Sequence, residues 1–204
     1  PVIYPQADHA LRACEAAVDL LAALRRLQEE RRGQDGGIYD ELTLRIGVAT
    51  GSAIVGPCGS EQKFDYTCIG DSVNVAARLE SANKAYGTAV LVSEATRAAA
   101  GERFAFRSLG GVQVKGRRAP VQISELLGRA GDVGPDELAY AREFGEGVAR
   151  FQARDWSAAA ACFERCRLLR PTDPAVRSYS GAVQLFSEHA PAADWNGALE
   201  LVEK

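Results

Sequence analysis

Phe64-Asp65-Tyr66-Thr67-Cys68-Ile69-Gly70-Asp71-Ser72-Val73-Asn74-Val75-Ala76-Ala77-Arg78-Leu79-Glu80 decides the fold. Phe64 to Ile69 is a short run bounded by a glycine and reads as a strand. Gly70-Asp71-Ser72 is turn chemistry, with Asp71 or Ser72 as the expected N-cap of a helix. From Val73 to Tyr86 the apolar residues Val75, Leu79, Ala82 and Tyr86 recur at three- and four-residue steps, and Gly87 ends the run. Asn74 and Arg78 then share one helix face, with Ser81 a turn further on, beside the buried stripe. An amide and a guanidinium so placed can hold a sugar and a phosphate. On spacing alone the commoner outcome is plainer, an exposed arginine paired with a nearby carboxylate.

Upstream, Leu11, Cys14, Val18, Leu21 and Leu24 set one long amphipathic helix over 7–32. Asp8 favours its start, Arg31 and Arg32 its end, and Gln34-Asp35-Gly36-Gly37 breaks it. Residues 42–50 read as a strand with Leu44, Ile46 and Val48 on one face, and Ala53-Ile54-Val55 as a second. Downstream, Val90-Leu91-Val92 is a strand and Ser93-Glu94 caps a short helix. Residues 104–109, 112–114 and 121–127 read as a meander, with turns at Gly110-Gly111 and Gly116-Arg117. This order implies an α+β or α/β layered fold. A Gly/Asp-rich linker over 128–135 follows. Everything after it is helical: 136–153, 156–169 and 173–188, with 194–204 a short helix or tail.

The 204 residues bound the chain to one or two domains. Hydrophobic residues make up 47%, enough to offset chain entropy, so the composition is not that of a disordered protein. No apolar run approaches the ~18 residues of a spanning helix, and the start has no signal-peptide pattern. Net charge is -3. The first 127 residues are balanced and the excess lies in the remainder, so neither part has the basic surplus of a nucleic-acid binder. The five cysteines, Cys14, Cys58, Cys68, Cys162 and Cys166, contain no C-x-x-C, which argues against a disulfide framework or zinc site and fits a reducing compartment. Cys162 and Cys166 read as small core residues. His9 and His189 have no metal-ligand partners in the sequence. The absence of methionine fits either initiator removal or a piece of a longer chain.

The decisive stretch resembles the strand–turn–helix signature of class III nucleotidyl cyclases, whose core runs G-D-x-V-N-x-A-A-R-L-E. The likeness extends through Arg45-Ile46-Gly47-Val48-Ala49-Thr50-Gly51 with Val55-Gly56, Tyr86-Gly87-Thr88, Leu91-Val92-Ser93-Glu94-Ala95-Thr96 and Val114-Lys115-Gly116. The helix from Asp8-His9-Ala10 to Leu27 resembles the family helix before them. Alone, Gly47, Gly51 and Gly56 mean only tight turns; together these motifs cover residues 1–127 in order.

The resemblance implies a ferredoxin-like cyclase fold, incomplete at its N-terminus, followed by a small all-α helical-hairpin domain. The divisions are 1–127, a linker 128–135, and 136–204. It implies conversion of ATP to 3′,5′-cyclic AMP and pyrophosphate in signal transduction, by attack of the ribose 3′-oxygen on the α-phosphorus. By resemblance Arg78 meets the α-phosphate, Asn74 orients the ribose, Lys115 holds the triphosphate and Thr67 reads the purine. Thr67 favours ATP over GTP; Cys68 is one position out of that register. Guanylate cyclase activity is the alternative in base choice, and a non-catalytic regulatory or protein-interaction module the alternative in kind. The family's two metal aspartates, for Mg²⁺ or Mn²⁺, lie on strands upstream of the first helix, and Asp65 and Asp71 do not align with them. The expectation is the C-terminal portion of a longer cyclase, inactive without that segment, with a raw sheet edge and an uncovered helix face where it is missing. A homodimer through the cyclase domain, a cytoplasmic location and an unseen membrane anchor in the full-length protein belong to the same expectation.

In the tail, Gly147, Phe151, Trp156, Ala159, Phe163, Cys166 and Pro171 follow the spacing of one tetratricopeptide repeat, with Cys166 where alanine is usual. Arrays need at least ~3 repeats. One is present, so a hairpin docked on the cyclase domain is at least as good a reading as a partner-binding array. The ending Asp194-Trp195-Asn196-Gly197 resembles the tails of bacterial cyclases with sensor and membrane segments.

Overall fold

The computed structural model describes residues 6–60, 63–113 and 120–199. Among these residues seven strands and six α-helices run in the order α1 (His9–Glu30), β1 (Ile46–Val48), β2 (Ile54–Ser60), β3 (Lys63–Ile69), α2 (Asp71–Tyr86), β4 (Val90–Ser93), α3 (Glu94–Ala100), β5 (Phe104–Val112), β6 (Val121–Arg129), α4 (Pro135–Gln152), α5 (Trp156–Leu169), α6 (Pro174–Glu188) and β7 (Ala198–Leu199). The fold is α+β. Five strands form one mixed sheet in the order β1-β4-β6-β5-β7, and β2 and β3 form a separate antiparallel hairpin. β1 lies parallel to β4, and β7 parallel to β5; the central pairs are antiparallel. β1 is an edge strand among the described residues.

Alternation along the strands builds two cores. Val90 and Val92 face one side, with Phe104 and Leu126, and meet Cys14 and Ala17 of α1 and Ala100 of α3. Leu91, Leu109 and Ile123 face the other side. There they share one continuous core with Val75, Leu79 and Tyr86 of α2 and with Tyr140, Phe144, Phe163 and Tyr179 of the last three helices. The hairpin of α4 and α5 is therefore docked on the sheet beside α2. Gly147 sits where a Cβ would lie 2.9 Å from Phe163, which is why a small residue stands at that step of the repeat-like spacing. Among the described residues no helix is long and apolar enough to cross a membrane.

Three expectations are corrected. Gly110-Gly111 is not a turn: β5 continues through it to Val112, with a register shift between Ser108 and Gly110. Gly110 takes φ +75, and the extra residue switches the strand's parity, so that Leu109 and Val112 both face the core shared with α4 and α6. Of the segment 194–204, residues 200–204 lie outside the described residues, and Ala198 and Leu199 are strand rather than helix, pairing with Gly111 and Val112 as β7. The strand expected over 42–50 is confined to Ile46–Val48.

Candidate active site

Helix α2 is fixed before its polar face is presented. Gly70, not Asp71 or Ser72, is the N-cap: its carbonyl accepts from Val73 and Asn74 N–H at 3.2 and 3.3 Å. Asp71 is instead the first helical residue, where a carboxylate suits the positive end of the helix dipole. Ser72 reaches back to donate to the Ser52 carbonyl at 3.1 Å. At the far end Gly87, at φ 67, closes the helix in the left-handed conformation that glycine tolerates.

The underside of α2 lies almost on the backbone of β1. A Cβ at Gly47 would stand 2.1 Å from the Ala76 carbonyl oxygen and 2.4 Å from the Glu80 nitrogen. Gly51 and Gly70 are also closely approached, though less so, by Ser72 Cβ at 2.9 Å and the Ser52 carbonyl at 2.8 Å. None of the three has a left-handed φ. Gly47 and Gly51 thus serve close packing rather than the tight turns their spacing suggested, and only Gly56 has open space around it. Asn83 completes the clamp. Fully buried, it donates to the Ile46 and Leu79 carbonyls at 3.0 and 2.9 Å and accepts from the Thr88 hydroxyl at 2.7 Å. Sequence reasoning missed it, because an asparagine on the stripe between Leu79 and Tyr86 gives no propensity signal; its four-residue step from Leu79 was the available clue.

On the opposite side, Asn74 is exposed and Arg78 half-buried, one turn apart. Neither forms an ion pair or side-chain hydrogen bond among the described residues. The nearby carboxylate of Glu80 is instead engaged with Arg45 at 3.2 Å. Arg78 is thus a partly desolvated cation with no protein counter-charge among the described residues, an arrangement suited to an anionic ligand. Thr67 is exposed on β3, opposite Gly56 of β2. Thr67 and Cys68 point to opposite faces of the hairpin, so they cannot serve one pocket. Lys115 lies outside the described residues.

A cavity of about 540 Å³ flanks the first turn of α2, lined by Asp71, Ser72 and Val75 there and by Thr50, Glu94 and Gln122 across from them. Asn74, Arg78 and Thr67 do not line it; they look outward from one chain. Among the described residues no group of three or more His, Cys, Asp or Glu is placed to hold a metal ion.

Residues 2–126 match the model of the adenylate and guanylate cyclase catalytic domain. The chain belongs to this cyclase family. Adenylate cyclase 1 of Rhizobium meliloti (strain 1021) is 42% identical over 126 residues, which are 61% of this chain and 18% of that protein. The terminal-differentiation-specific adenylate cyclase of Dictyostelium discoideum is 26% identical over 181 residues, 87% of this chain and 8% of that protein. That alignment is too long for the cyclase domain alone and takes in part of the helical tail. The chain spans under a quarter of the length of both relatives. A solved bacterial light-regulated adenylyl cyclase superposes with a TM-score of 0.54 at 25% identity, over 68% of this chain and 38% of that one. The cyclase domain here is thus a sheet with α2 bound tightly to β1 and an open polar helix face.

Proposed function

We propose that this chain supplies the nucleotide-binding helix of an adenylate cyclase, which converts ATP to 3′,5′-cyclic AMP and pyrophosphate. The observation that carries the reading is Arg78: a half-buried guanidinium, one turn from Asn74 on a helix locked to its strand, with no counter-charge among the described residues. In the reaction the ribose 3′-oxygen bonds to the α-phosphorus and loses its proton, while the bond to the bridging oxygen breaks and pyrophosphate leaves. Negative charge shifts onto the phosphoryl oxygens as this happens. A cation held in place beforehand stabilises that state without reorganisation. Arg78 takes that role, Asn74 orients the ribose, Lys115 contacts the triphosphate and Thr67 contacts adenine.

Asn74, Arg78 and Thr67 all face outward, so a second protomer is needed to close the site. The β2–β3 hairpin is the surface that fits one. It pairs with no other strand among the described residues and exposes Ile54, Tyr66 and Ile69. We assign it to a homodimer interface, where burial of those side chains favours association.

The test is Arg78→Ala in the intact protein. Turnover falls by ~10³–10⁵, as for a lost arginine in other phosphoryl transfer sites, while ATP affinity measured by calorimetry stays within a few-fold. Unchanged turnover refutes the assignment. Equal rates with ATP and GTP would remove Thr67 from base selection, and an Ile54→Asp variant that sediments as the wild type does would remove the hairpin from the dimer.

A further inference from the structure

We propose that the three helices after residue 134 hold the nucleotide-binding helix α2 in its working position, and that Asp173 and Pro174 are the positioning residues through which they act. The inference rests on the assignment of Asn74 and Arg78 to that helix.

Pro174, the first residue of α6, abuts the C-terminal cap of α2: its Cδ and Cγ stand 2.7 Å from where a Cβ on Gly87 would lie. Tyr86, the last residue of α2, is fully buried in the core it shares with Tyr179 of α6. The start of α6 is itself anchored to the sheet. One oxygen of Asp173 caps the helix, accepting from Ala175 and Val176 N–H at 2.8 and 3.4 Å. The other accepts from Arg107 of β5 at 2.5 Å and from the Tyr140 hydroxyl at 2.7 Å. Arg107 is buried, and its Nε donates to Glu125 of β6 at 2.7 Å. Asp173 therefore ties α6 to two strands and to α4, and fixes the spot where Pro174 meets Gly87.

The middle and the last turn of α2 are held differently. Its middle, from Ala76 to Glu80, is packed on the β1 backbone at Gly47. Its last turn has Asn83 on the β1 side and the tail on the other. Removing the tail contact frees one end of a helix whose middle carries Arg78. Small displacements there matter, because misplacing a reacting group by ~1 Å can cost on the order of 10²-fold in rate.

The experiment uses Asp173→Ala and the milder Pro174→Ala in the intact protein, with Arg165→Ala as comparison. Arg165 pairs with Glu143 between α5 and α4, away from α2. Amide exchange at residues 83–87, measured without nucleotide, should accelerate about tenfold in the first two variants and not in the third. In the same two variants kcat should fall about tenfold or more, with KM for ATP within twofold. Asp173→Asn keeps the capping acceptor and should recover part of the exchange protection. Unchanged exchange at 83–87 while the first turn of α6 opens would overturn the proposal. So would faster exchange with kcat and KM unaltered. If Asp173→Ala does not fold, Pro174→Ala decides alone. A wild type without turnover would refute the cyclase reading instead, and the exchange data would still answer whether α6 holds α2.

Discussion

Gly47→Ala is the sharpest test of how the cyclase site is built. The added methyl would lie 2.1 Å from the Ala76 carbonyl oxygen and 2.4 Å from the Glu80 nitrogen, both backbone atoms of α2. Reaching ordinary contact, at 3.4 Å, requires the helix to retreat by about 1.3 Å at that point. No flexible side chain can absorb this, so the cost belongs at the upper end of the ~1–3 kcal/mol typical of overpacking. The same shift breaks the 3.0 Å bond from Asn83 to the Ile46 carbonyl and carries Arg78 with it. Two losses should appear together: a lower urea midpoint with unchanged slope, and a kcat lower by on the order of 10²-fold. Gly56→Ala, where nothing lies within 4 Å, is the comparison and should change neither much. A Gly47→Ala protein with wild-type midpoint and kcat would refute the packing argument outright.

The legible parts of this fold were those set by local chemistry. α5 begins and ends at the residues expected, because Asp155 accepts from Ala158 N–H at its start and Pro171 blocks its continuation. Ser93 caps α3 as read, accepting from Thr96 N–H at 3.3 Å. Contacts between distant residues defeated the reading elsewhere. Gly110-Gly111 carries the local signal of a turn, yet a Cβ on Gly110 would meet the Tyr179 hydroxyl at 2.6 Å and Val148 at 2.8 Å. The glycine is there because the tail packs over a bulge, and no local pattern reports that. β7 is defined by its pairing with Gly111 and Val112 of β5, a contact between residues far apart in the sequence. Arg107, Glu125 and Asp173 lie far apart in sequence and meet in one buried cluster, which charge counting along the chain does not reveal. In the candidate site, the four-residue step put Asn74 and Arg78 on one helix face, and the family resemblance, not the spacing, gave them roles. Gly47 was misread because a glycine within a strand signals a turn less often than a close backbone approach.

Two tyrosines of the shared core should respond to loss of their hydroxyls with opposite signs. The Tyr86 hydroxyl is buried without a partner among the described residues, so Tyr86→Phe should leave stability unchanged or raise it by up to about 1 kcal/mol in urea melts. Tyr179 donates at 2.6 Å to the carbonyl of Leu109, the bulged residue of β5; Tyr179→Phe should cost ~1–3 kcal/mol, and an equal response from both would refute the distinction. Acid stability should turn on the Arg107 cluster. Burial pushes the Asp173 carboxyl up, but the Arg107 guanidinium and the hydrogen bonds from Tyr140 and Arg107 outweigh it and hold the group below its ordinary value. For Glu125 burial wins over Arg107, and the group is raised. The two therefore act oppositely as pH falls. Glu125 takes up its proton more readily in the folded chain, so its titration favours folding as pH falls through its raised value. Asp173 stabilises fully above its unfolded value of ~3.9 and loses that contribution below it. Urea midpoints should hold or rise slightly down to about pH 4.5 and then fall steeply below about pH 4. Asp173→Asn should remove part of that fall. The same slope below about pH 4 in both proteins would mean that Asp173 is not the group whose protonation releases α6 from the sheet.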